Sequence, residues 1–224
     1  MKPFVTCWEV LPPDQKRWWP LLRSAGVMGF VLYGGTAVAL RLGHRQSIDF
    51  DLFTERKLDK AELQTAFPFV DKSTTLQETE NSWSLLVSES RPDERPVRIS
   101  FCGGITNGRV GEPECTDDGN MLVASLADLM AFKVKVILQR VEAKDYRDIA
   151  AMLRAGAHLD HALSAARTLF GMTFQPMKSM KALTCFEGGD LSTLSREDRE
   201  TILAAARSRI RLEPIGLMAH RLNL

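Results

Sequence analysis

Two short features of the sequence contain residue types suited to chemistry. Gly34 and Gly35 follow an apolar run, and Asp49 and Asp51 alternate with apolar residues in the stretch 48–53. Because side chains alternate between the faces of a strand, both carboxylates lie on one face, and the apolar residues of this stretch, Ile48 among them, point into the core. Two carboxylates on one face suit a hard cation such as Mg²⁺. A glycine pair between a strand and a helix lets the backbone approach an anion closely. Together the two features are typical of phosphoryl or nucleotidyl transfer.

Each feature alone also has an ordinary structural interpretation. A Gly-Gly turn is commonly only a turn, and an Asp-x-Asp strand is commonly a solvated face. Their combination in this order favours the functional interpretation. Arg41 and Arg45, which lie between the two features, either neutralise a phosphate or are simply solvated.

Hydrophobic periodicity and turn residues predict the elements that position these residues. The predicted helices cover 14–25, 36–42, 58–67, 125–140, 144–155, 159–170 and 195–209. The predicted strands cover 30–33, 48–53, 83–87 and 97–102, the last two in an antiparallel meander over 73–115 with a turn at 91–96. We therefore predict an α+β fold with an α/β domain over 1–120 and a helical domain over 121–224.

Composition excludes several classes of protein. The 29 basic and 28 acidic side chains nearly cancel, which excludes a histone-like polyanion binder. Hydrophobic residues make up 45% of the chain, as in ordinary globular proteins. The four cysteines lie far apart without zinc-site spacing, and no uncharged stretch is long enough to span a bilayer. We expect a cytoplasmic protein with no membrane partner.

Two longer stretches resemble a known family. The stretch from Tyr33 to Phe53 resembles the opening motif of the nucleotidyltransferase superfamily related to DNA polymerase β. More closely, it is similar to the AbiEii/AbiGii toxins of type IV toxin–antitoxin systems. The stretch from Lys133 to Ile149 is similar to that family's Lys…Arg…Lys-Asp-x-x-Asp region. The resemblance implies a nucleotidyltransferase-like mixed sheet flanked by helices, followed by a helical region.

The resemblance also implies a role for each matching position. The residues implied to be catalytic are Asp49, Asp51, Lys133 and Asp148. The residues implied to bind the nucleotide are Gly34, Gly35, Thr36, Lys144 and Asp145. Asp49 and Asp51 are also the implied ligands of Mg²⁺. From spacing alone, Lys144 and Asp148 could instead form an i, i+4 salt bridge on the surface.

One position departs from the superfamily pattern. A third carboxylate usually stands in the middle of an apolar-acid-apolar triplet on a later strand. The matching triplet here is Ile99-Ser100-Phe101, and a neutral serine is a poor Mg²⁺ ligand. Glu89, on the preceding predicted strand, is a candidate for the missing oxygen.

These observations predict a Mg²⁺-dependent nucleotidyltransferase. It would move a nucleoside monophosphate from an NTP to RNA, such as a tRNA 3′ end, or to a protein, and a cognate antitoxin is an expected partner. One alternative is a catalytically weak protein of the same fold that acts by binding an antitoxin or RNA, as Ser100 suggests. Another is a transferase whose acceptor is a small molecule such as an antibiotic.

Overall fold

A computed structural model describes residues 3–89 and 95–224, which form two compact units. The sheet unit comprises Met1–Gly108, Pro113–Ala124 and His220–Leu224, and the helical unit comprises Arg109–Glu112 and Ser125–Ala219. The division into domains 1–120 and 121–224 stays a prediction. Within the described residues, every helix is too short or too polar to cross a membrane.

The sheet unit is built on a mixed seven-stranded sheet in the order β3-β4-β5-β2-β1-β7-β6. The strands are β1 (Val31–Tyr33), β2 (Asp49–Phe53), β3 (Thr74–Thr79), β4 (Ser82–Val87), β5 (Val97–Cys102), β6 (Glu114–Cys115) and β7 (Leu122–Val123). The pairs β2/β5 and β1/β7 are parallel and the other pairs are antiparallel. The predicted meander is confirmed for β3, β4 and β5, although its predicted turn at 91–96 lies largely outside the described residues.

The helices of this unit are α1 (Pro13–Trp18), α2 (Arg23–Val27), α3 (Gly34–Leu42) and α4 (Lys60–Ala66). The single helix predicted over 14–25 is wrong, since a 3₁₀ helix over Trp19–Leu22 separates α1 from α2. This 3₁₀ helix contains Pro20, which has no amide hydrogen to continue the α-helical ladder. The predicted end of α3 at residue 42 is confirmed, and the helix stops there because Gly43 adopts a left-handed conformation with φ of 65°.

One face of the sheet forms the core of this unit. Phe50 lies 5.8 Å from Trp19 between ring centroids, and Phe101 lies 5.5 Å from Phe30. The prediction that Ile48 also points into the core is wrong, since Ile48 is 62% exposed. The strand begins one residue later at Asp49, so Ile48 precedes the paired part of β2.

The helical unit contains α5 (Leu126–Val136), α6 (Ala143–Arg154), α7 (Leu159–Phe170), α8 (Pro176–Thr184) and α9 (Arg196–Arg207). The predicted helix starts at Ser125 and Ser195 are confirmed, because each hydroxyl accepts a main-chain N–H three residues later. The helix predicted over 125–140 ends earlier, at Val136, where the chain tightens into turns. The helix α8 was not predicted.

Candidate active site

The two sequence-predicted carboxylates lie side by side on the face of the sheet opposite the aromatic core. In the parallel pairing of β2 with β5, Asp51 stands opposite Ser100 and Asp49 stands opposite Arg98. Side chains opposite each other in paired strands share a face. Ser100 therefore occupies the position beside Asp51 that the triplet comparison predicts for the third acid. We call Asp49, Asp51, Arg98 and Ser100 the acid face.

The glycine turn lies against this face. Gly34 begins α3 with φ of 73°, a conformation that favours glycine. A Cβ atom on Gly34 would overlap the Asp51 carboxylate, whose Cγ lies 3.0 Å from the Cβ position. No side chain caps the N-terminus of α3. The glycine turn and the Asp-x-Asp strand therefore meet in space, and the helix terminus favours an anion there.

The next two residues of the turn are held by the segment that leads into β2. A Cβ atom on Gly35 would meet the Arg45 guanidinium and lie 3.3 Å from Ser47 Oγ. The buried hydroxyl of Thr36 donates to the main-chain carbonyl of Asp49 and lies 2.9 Å from Ser47 Oγ. The Thr36 side chain thus holds α3 against β2. Its hydroxyl is already in use, so the group that Thr36 can offer to an anion is its main-chain N–H.

A cation that was not predicted from the sequence belongs to the acid face. Arg98 donates from Nη2 to Asp49 Oδ2 at 2.7 Å, and the two side chains are 38% and 25% exposed. The signal that could have identified Arg98 is its position two residues before Ser100, which places both on one face of β5. This pairing leaves Asp49 partly neutralised.

The oxygen next to Ser100 comes from another serine. Ser84 on β4 donates from its hydroxyl to Ser100 Oγ at 3.0 Å. Glu89, the predicted substitute for the third acid, lies beyond the end of β4 and five residues from Ser84, and it pairs instead with Arg17 at 3.7 Å. The Glu89 prediction is therefore wrong, because the strand register puts Ser84 opposite Ser100.

Cys102 stands on the same face of β5, two residues beyond Ser100. Burial raises the pKa of the Cys102 thiol, and the nearby charge of Asp51 raises it further. A thiol binds metals as the thiolate, so the raised pKa makes Cys102 a poorer metal ligand than the two carboxylates. Among the described residues, no group of three or more His, Cys, Asp or Glu side chains is arranged to hold a metal ion.

The second motif forms a different arrangement in the helical unit. Lys133 Nζ lies 2.7 Å from Asp145 Oδ1 and 2.5 Å from Asp148 Oδ2. The lysine side chain is 6% exposed and both aspartates are fully buried. Asp145 also receives two hydrogen bonds from Arg140, at 2.8 and 3.1 Å. We call Lys133, Arg140, Asp145 and Asp148 the buried cluster.

The charges of the buried cluster compensate each other. Burial alone would raise the pKa of Asp145, but hydrogen bonds from Arg140 and the charge of Lys133 outweigh it and lower this pKa. The surface pair that Lys144 and Asp148 could form does not exist, since Lys144 pairs with Glu142 at 2.9 Å. Lys144 is the most accessible of the second-motif residues predicted to bind the nucleotide.

Arg41 has a role that neither of its predicted alternatives covers. Its side chain is buried, it pairs with Glu114 on β6, and it donates to the main-chain carbonyls of Val123 and Ala124. It therefore ties α3 to the short strands at the sheet edge. Its partners in the structure are groups of the protein itself.

Comparison with known proteins extends the match beyond these motifs. A model of the nucleotidyl transferase AbiEii toxins of type IV toxin–antitoxin systems matches residues 21–214. The chain belongs to the AbiEii family. An uncharacterized protein of Aquifex aeolicus (strain VF5) is 28% identical to it over 127 residues. That match spans 56% of this chain and 58% of the length of the Aquifex protein.

Solved structures show the same fold. MenT4, a nucleotidyltransferase toxin from Mycobacterium tuberculosis, superposes with a TM-score of 0.57 and 14% identity, and the match covers 88% of each chain. A candidate nucleotidyltransferase from H. pylori gives 0.57 and 16% identity, with coverage of 86% of this chain and 90% of that one. At these identities the likeness establishes the fold, and the sequence match establishes the AbiEii family.

Proposed function

We propose that this AbiEii-family protein transfers a nucleoside monophosphate from an NTP to a hydroxyl group of RNA or of a protein. The acceptor oxygen would form a bond to the α-phosphorus as the bond to pyrophosphate breaks. Such reactions depend chiefly on positioning and on neutralising phosphate charge. The observation that carries the proposal is the approach of Gly34 at the N-terminus of α3 to the Asp51 carboxylate on the acid face.

The donor set of the acid face fits one Mg²⁺ ion better than two. Mg²⁺ is held in proteins by one or two carboxylates plus substrate phosphates and water, and Asp49 and Asp51 supply that number. Ser100 and Ser84 present neutral hydroxyls where a second ion would need a carboxylate. The ion would neutralise phosphate charge, and Asp49 and Asp51 are the side chains that would hold it.

The residues of the chain would divide the remaining work. The main-chain N–H groups at Gly34, Gly35 and Thr36 would hold the phosphate tail at the helix N-terminus. Arg45, whose guanidinium lies against Gly35, would face the same phosphates. In the second motif, Lys144 would contact the nucleotide. The ion pairs of Lys133 with Asp145 and Asp148 would hold in place the helix that carries Lys144.

A second candidate function is supported by two observations on the acid face. Ser100 replaces the third acid, and Arg98 already pairs with Asp49. Both reduce the negative charge available to a metal ion. The alternative is a protein that binds a nucleotide, RNA or an antitoxin and turns over slowly or not at all.

Radiolabel transfer would separate the two functions. Purified protein would be incubated with each NTP labelled at the α-phosphate, Mg²⁺ and total RNA. We expect label on RNA or on protein with the wild type and none with Asp49→Ala/Asp51→Ala. Asp71→Ala, which removes an exposed carboxylate of the same unit, is the matched control and should retain transfer.

The outcomes have distinct meanings. Label that persists in the double variant would refute the role of the acid face. No label with any NTP from a folded wild-type protein would favour the binding function. In that case, slowed growth on overexpression that survives Asp51→Asn would show that the effect depends on neither metal binding nor catalysis.

A further inference from the structure

The two carboxylates of the acid face have different neighbours on their two sides. The strand order places β2 between β1 and β5. On the β1 side, Tyr33 pairs with Asp51 and leads directly into the glycine turn at the start of α3. On the β5 side, Arg98 and Ser100 stand opposite the two carboxylates. The proposed phosphate site and Arg98 therefore lie on opposite sides of Asp49 and Asp51.

This arrangement sets the direction from which an acceptor arrives. In phosphoryl transfer, the attacking and the leaving oxygens lie roughly in line across the phosphorus atom. Because the phosphate tail would be held at the N-terminus of α3, pyrophosphate would leave towards β1. The acceptor hydroxyl must then approach from the side of β5, where Arg98 and Ser100 lie.

The β5 side of the acid face is polar and nearly free of charge. Beyond Ser100, strand pairing continues the same row with Ser84 on β4 and Gln77 on β3. The neighbouring rows of this face contain Arg98 and the uncharged residues Cys102, Ser82, Leu86, Thr74 and Thr79. Among the described residues of β3, β4 and β5, Arg98 is thus the one charged side chain on this face. Such a surface suits an anionic substrate, because no carboxylate on these strands repels a phosphate there.

Arg98 keeps hydrogen-bonding capacity for a ligand. A guanidinium has five N–H donors in a planar fork that matches a phosphate group. Among the described residues, Arg98 makes one hydrogen bond, from Nη2 to Asp49. Its side chain is 38% exposed, so an anion can compete with Asp49 for the terminal nitrogens.

The spacing between Arg98 and Asp51 fits the end of an RNA chain. Arg98 lies two residues before Ser100, the partner of Asp51. Two steps of about 3.3 Å along β5 and one strand spacing of about 4.8 Å put the Cα atoms of Arg98 and Asp51 about 8 Å apart. In RNA, the 3′ hydroxyl and the phosphate of the same nucleotide are separated by one sugar. Both groups can therefore lie on this face at once, the hydroxyl near Asp51 and the phosphate near Arg98.

We infer that the β5 side of the acid face is the site of an RNA acceptor, and that Arg98 binds the phosphate next to the acceptor hydroxyl. The inference rests on the proposed nucleotidyl transfer and selects RNA over protein as its acceptor. A protein hydroxyl has no neighbouring phosphate and would leave the guanidinium paired with Asp49. Ser84 and Ser100 add neutral hydroxyl groups that suit the ribose hydroxyls of RNA.

Two binding measurements separate the acceptor from the nucleotide. Fluorescence anisotropy would follow a 5′-labelled single-stranded RNA with a 3′ hydroxyl, and calorimetry would follow each NTP, both in Mg²⁺. The test variants are Arg98→Met, which removes the guanidinium, and Arg98→Lys, which keeps the charge without the fork. Arg56→Met is the matched control, because Arg56 is an exposed arginine of the same unit that pairs with Glu62 outside the acid face.

The contact predicts a loss that is confined to RNA. Arg98→Met should weaken RNA binding about tenfold, as expected for a lost charge-assisted hydrogen bond, without weakening the binding of NTP. The slope of log affinity against log salt concentration should become shallower by about 0.7, the contribution of one phosphate of a single strand. Arg98→Lys should keep the salt slope of the wild type and bind RNA with intermediate affinity. Arg56→Met should change neither ligand.

A chemical change in the RNA tests the same contact from the side of the ligand. A methylphosphonate at the last linkage removes the charge of the phosphate next to the 3′ hydroxyl. It should weaken binding to the wild type about tenfold and binding to Arg98→Met less than about twofold, since the variant has already lost the contact. A methylphosphonate several linkages away is the control and should affect both proteins equally.

Other outcomes would overturn the inference. If Arg98→Met weakens NTP and leaves RNA unchanged, Arg98 binds the donor nucleotide instead. If all variants bind RNA as the wild type does, or if label is transferred to protein alone, the acceptor site is wrong although nucleotidyl transfer stands. Failure of folded wild-type protein to bind any NTP, with no label on any acceptor, would remove the proposed function and this inference together.

Discussion

The acid face and the buried cluster both place two aspartates beside a cation, but they differ in access to solvent. On the acid face, Asp49 and Arg98 are 25% and 38% exposed, so a ligand can compete for either. In the buried cluster, Asp145 and Asp148 are fully buried around Lys133. Charges that a ligand can reach are suited to binding, whereas charges sealed in protein mainly determine how the helices are held.

The two sequence motifs differ in the same way, because each contributes one of these two regions. Both resemble parts of one family's site, and the first is the more specific of the two. In the structure, the first motif presents a surface on which Gly34 and Asp51 meet. In the second motif, the charges of the buried cluster compensate one another. Lys144 is different, because it and its partner Glu142 are both partly exposed. Variants of the two motifs should therefore change different properties.

The largest expected effect is on stability, from Lys133→Met. Removal of the ammonium leaves two buried carboxylates without their central partner, and such a loss costs about 3–5 kcal/mol of unfolding free energy. Lys135→Met on the same helix should cost less than about 1 kcal/mol, because Lys135 bonds at the surface to the Thr173 carbonyl. Urea unfolding of both variants measures the difference.

If Lys133→Met unfolds at the same urea concentration as Lys135→Met but loses nucleotidyl transfer, Lys133 acts on the nucleotide. The buried cluster would then be part of the catalytic machinery, in line with the role that the family resemblance implies.

The next effect, of about 2 kcal/mol, is expected from Ser100→Asp. The new carboxylate would stand beside Asp51 at a position that is 6% exposed, where like charges repel and burial disfavours ionisation. Mg²⁺ should restore the lost stability, because it joins the carboxylates. Thermal unfolding with and without Mg²⁺ tests this, with Ser100→Asn as the uncharged control of similar size. A Mg²⁺ response equal to that of the control would show that the acid face does not bind the ion.

Local sequence pattern was sufficient to predict the geometry of the first motif. Alternation in 48–53 placed Asp49 and Asp51 on one face, and the glycine pair marked the start of α3. These inferences hold because a strand period and a helix terminus are set by residues a few positions apart. The α+β class and the AbiEii family were also predicted correctly.

Features that depend on distant pairing were missed. Arg98 meets Asp49 only because β5 crosses over to lie parallel to β2, and no local pattern specifies that register. Arg41 was interpreted from its neighbours in sequence, whereas its partners lie on the edge strands of the sheet. The exposure of Ile48 likewise depends on the residue at which pairing of β2 begins.

A smaller effect, below about 1 kcal/mol, is expected from Arg98→Met, since a half-exposed ion pair contributes little. The guanidinium and a metal ion compete for Asp49, so its removal should tighten Mg²⁺ binding about two- to fivefold without nucleotide. Calorimetric titration with Mg²⁺ alone measures this, and Arg56→Met, at an exposed pair with Glu62, is the control. Weaker Mg²⁺ binding would mean that Arg98 holds Asp49 in place for the ion.

The stability difference between the wild type and an Asp145→Asn variant should depend on pH only in the acid range. Because the cations lower the pKa of Asp145 in the folded protein, its ionised form contributes stability above about pH 4 that is lost on further acidification. The difference in unfolding free energy between the wild type and Asp145→Asn should therefore shrink as the pH falls below about 4.

Asp128, in the same unit, should show the opposite sign. Burial raises its pKa despite hydrogen bonds from Ser125 and from the amides of Val110 and Gly111. The folded protein therefore binds the proton more readily than the unfolded chain. The unfolding free energy of the wild type should consequently rise relative to that of Asp128→Asn as the pH falls towards about 4. The stability difference from the wild type would be plotted against pH for each variant. Slopes of the same sign for Asp145→Asn and Asp128→Asn would show that the cations do not lower the pKa of Asp145. Opposite slopes would show that Lys133 and Arg140 keep Asp145 ionised, whereas the charge of Arg109 does not offset the burial of Asp128.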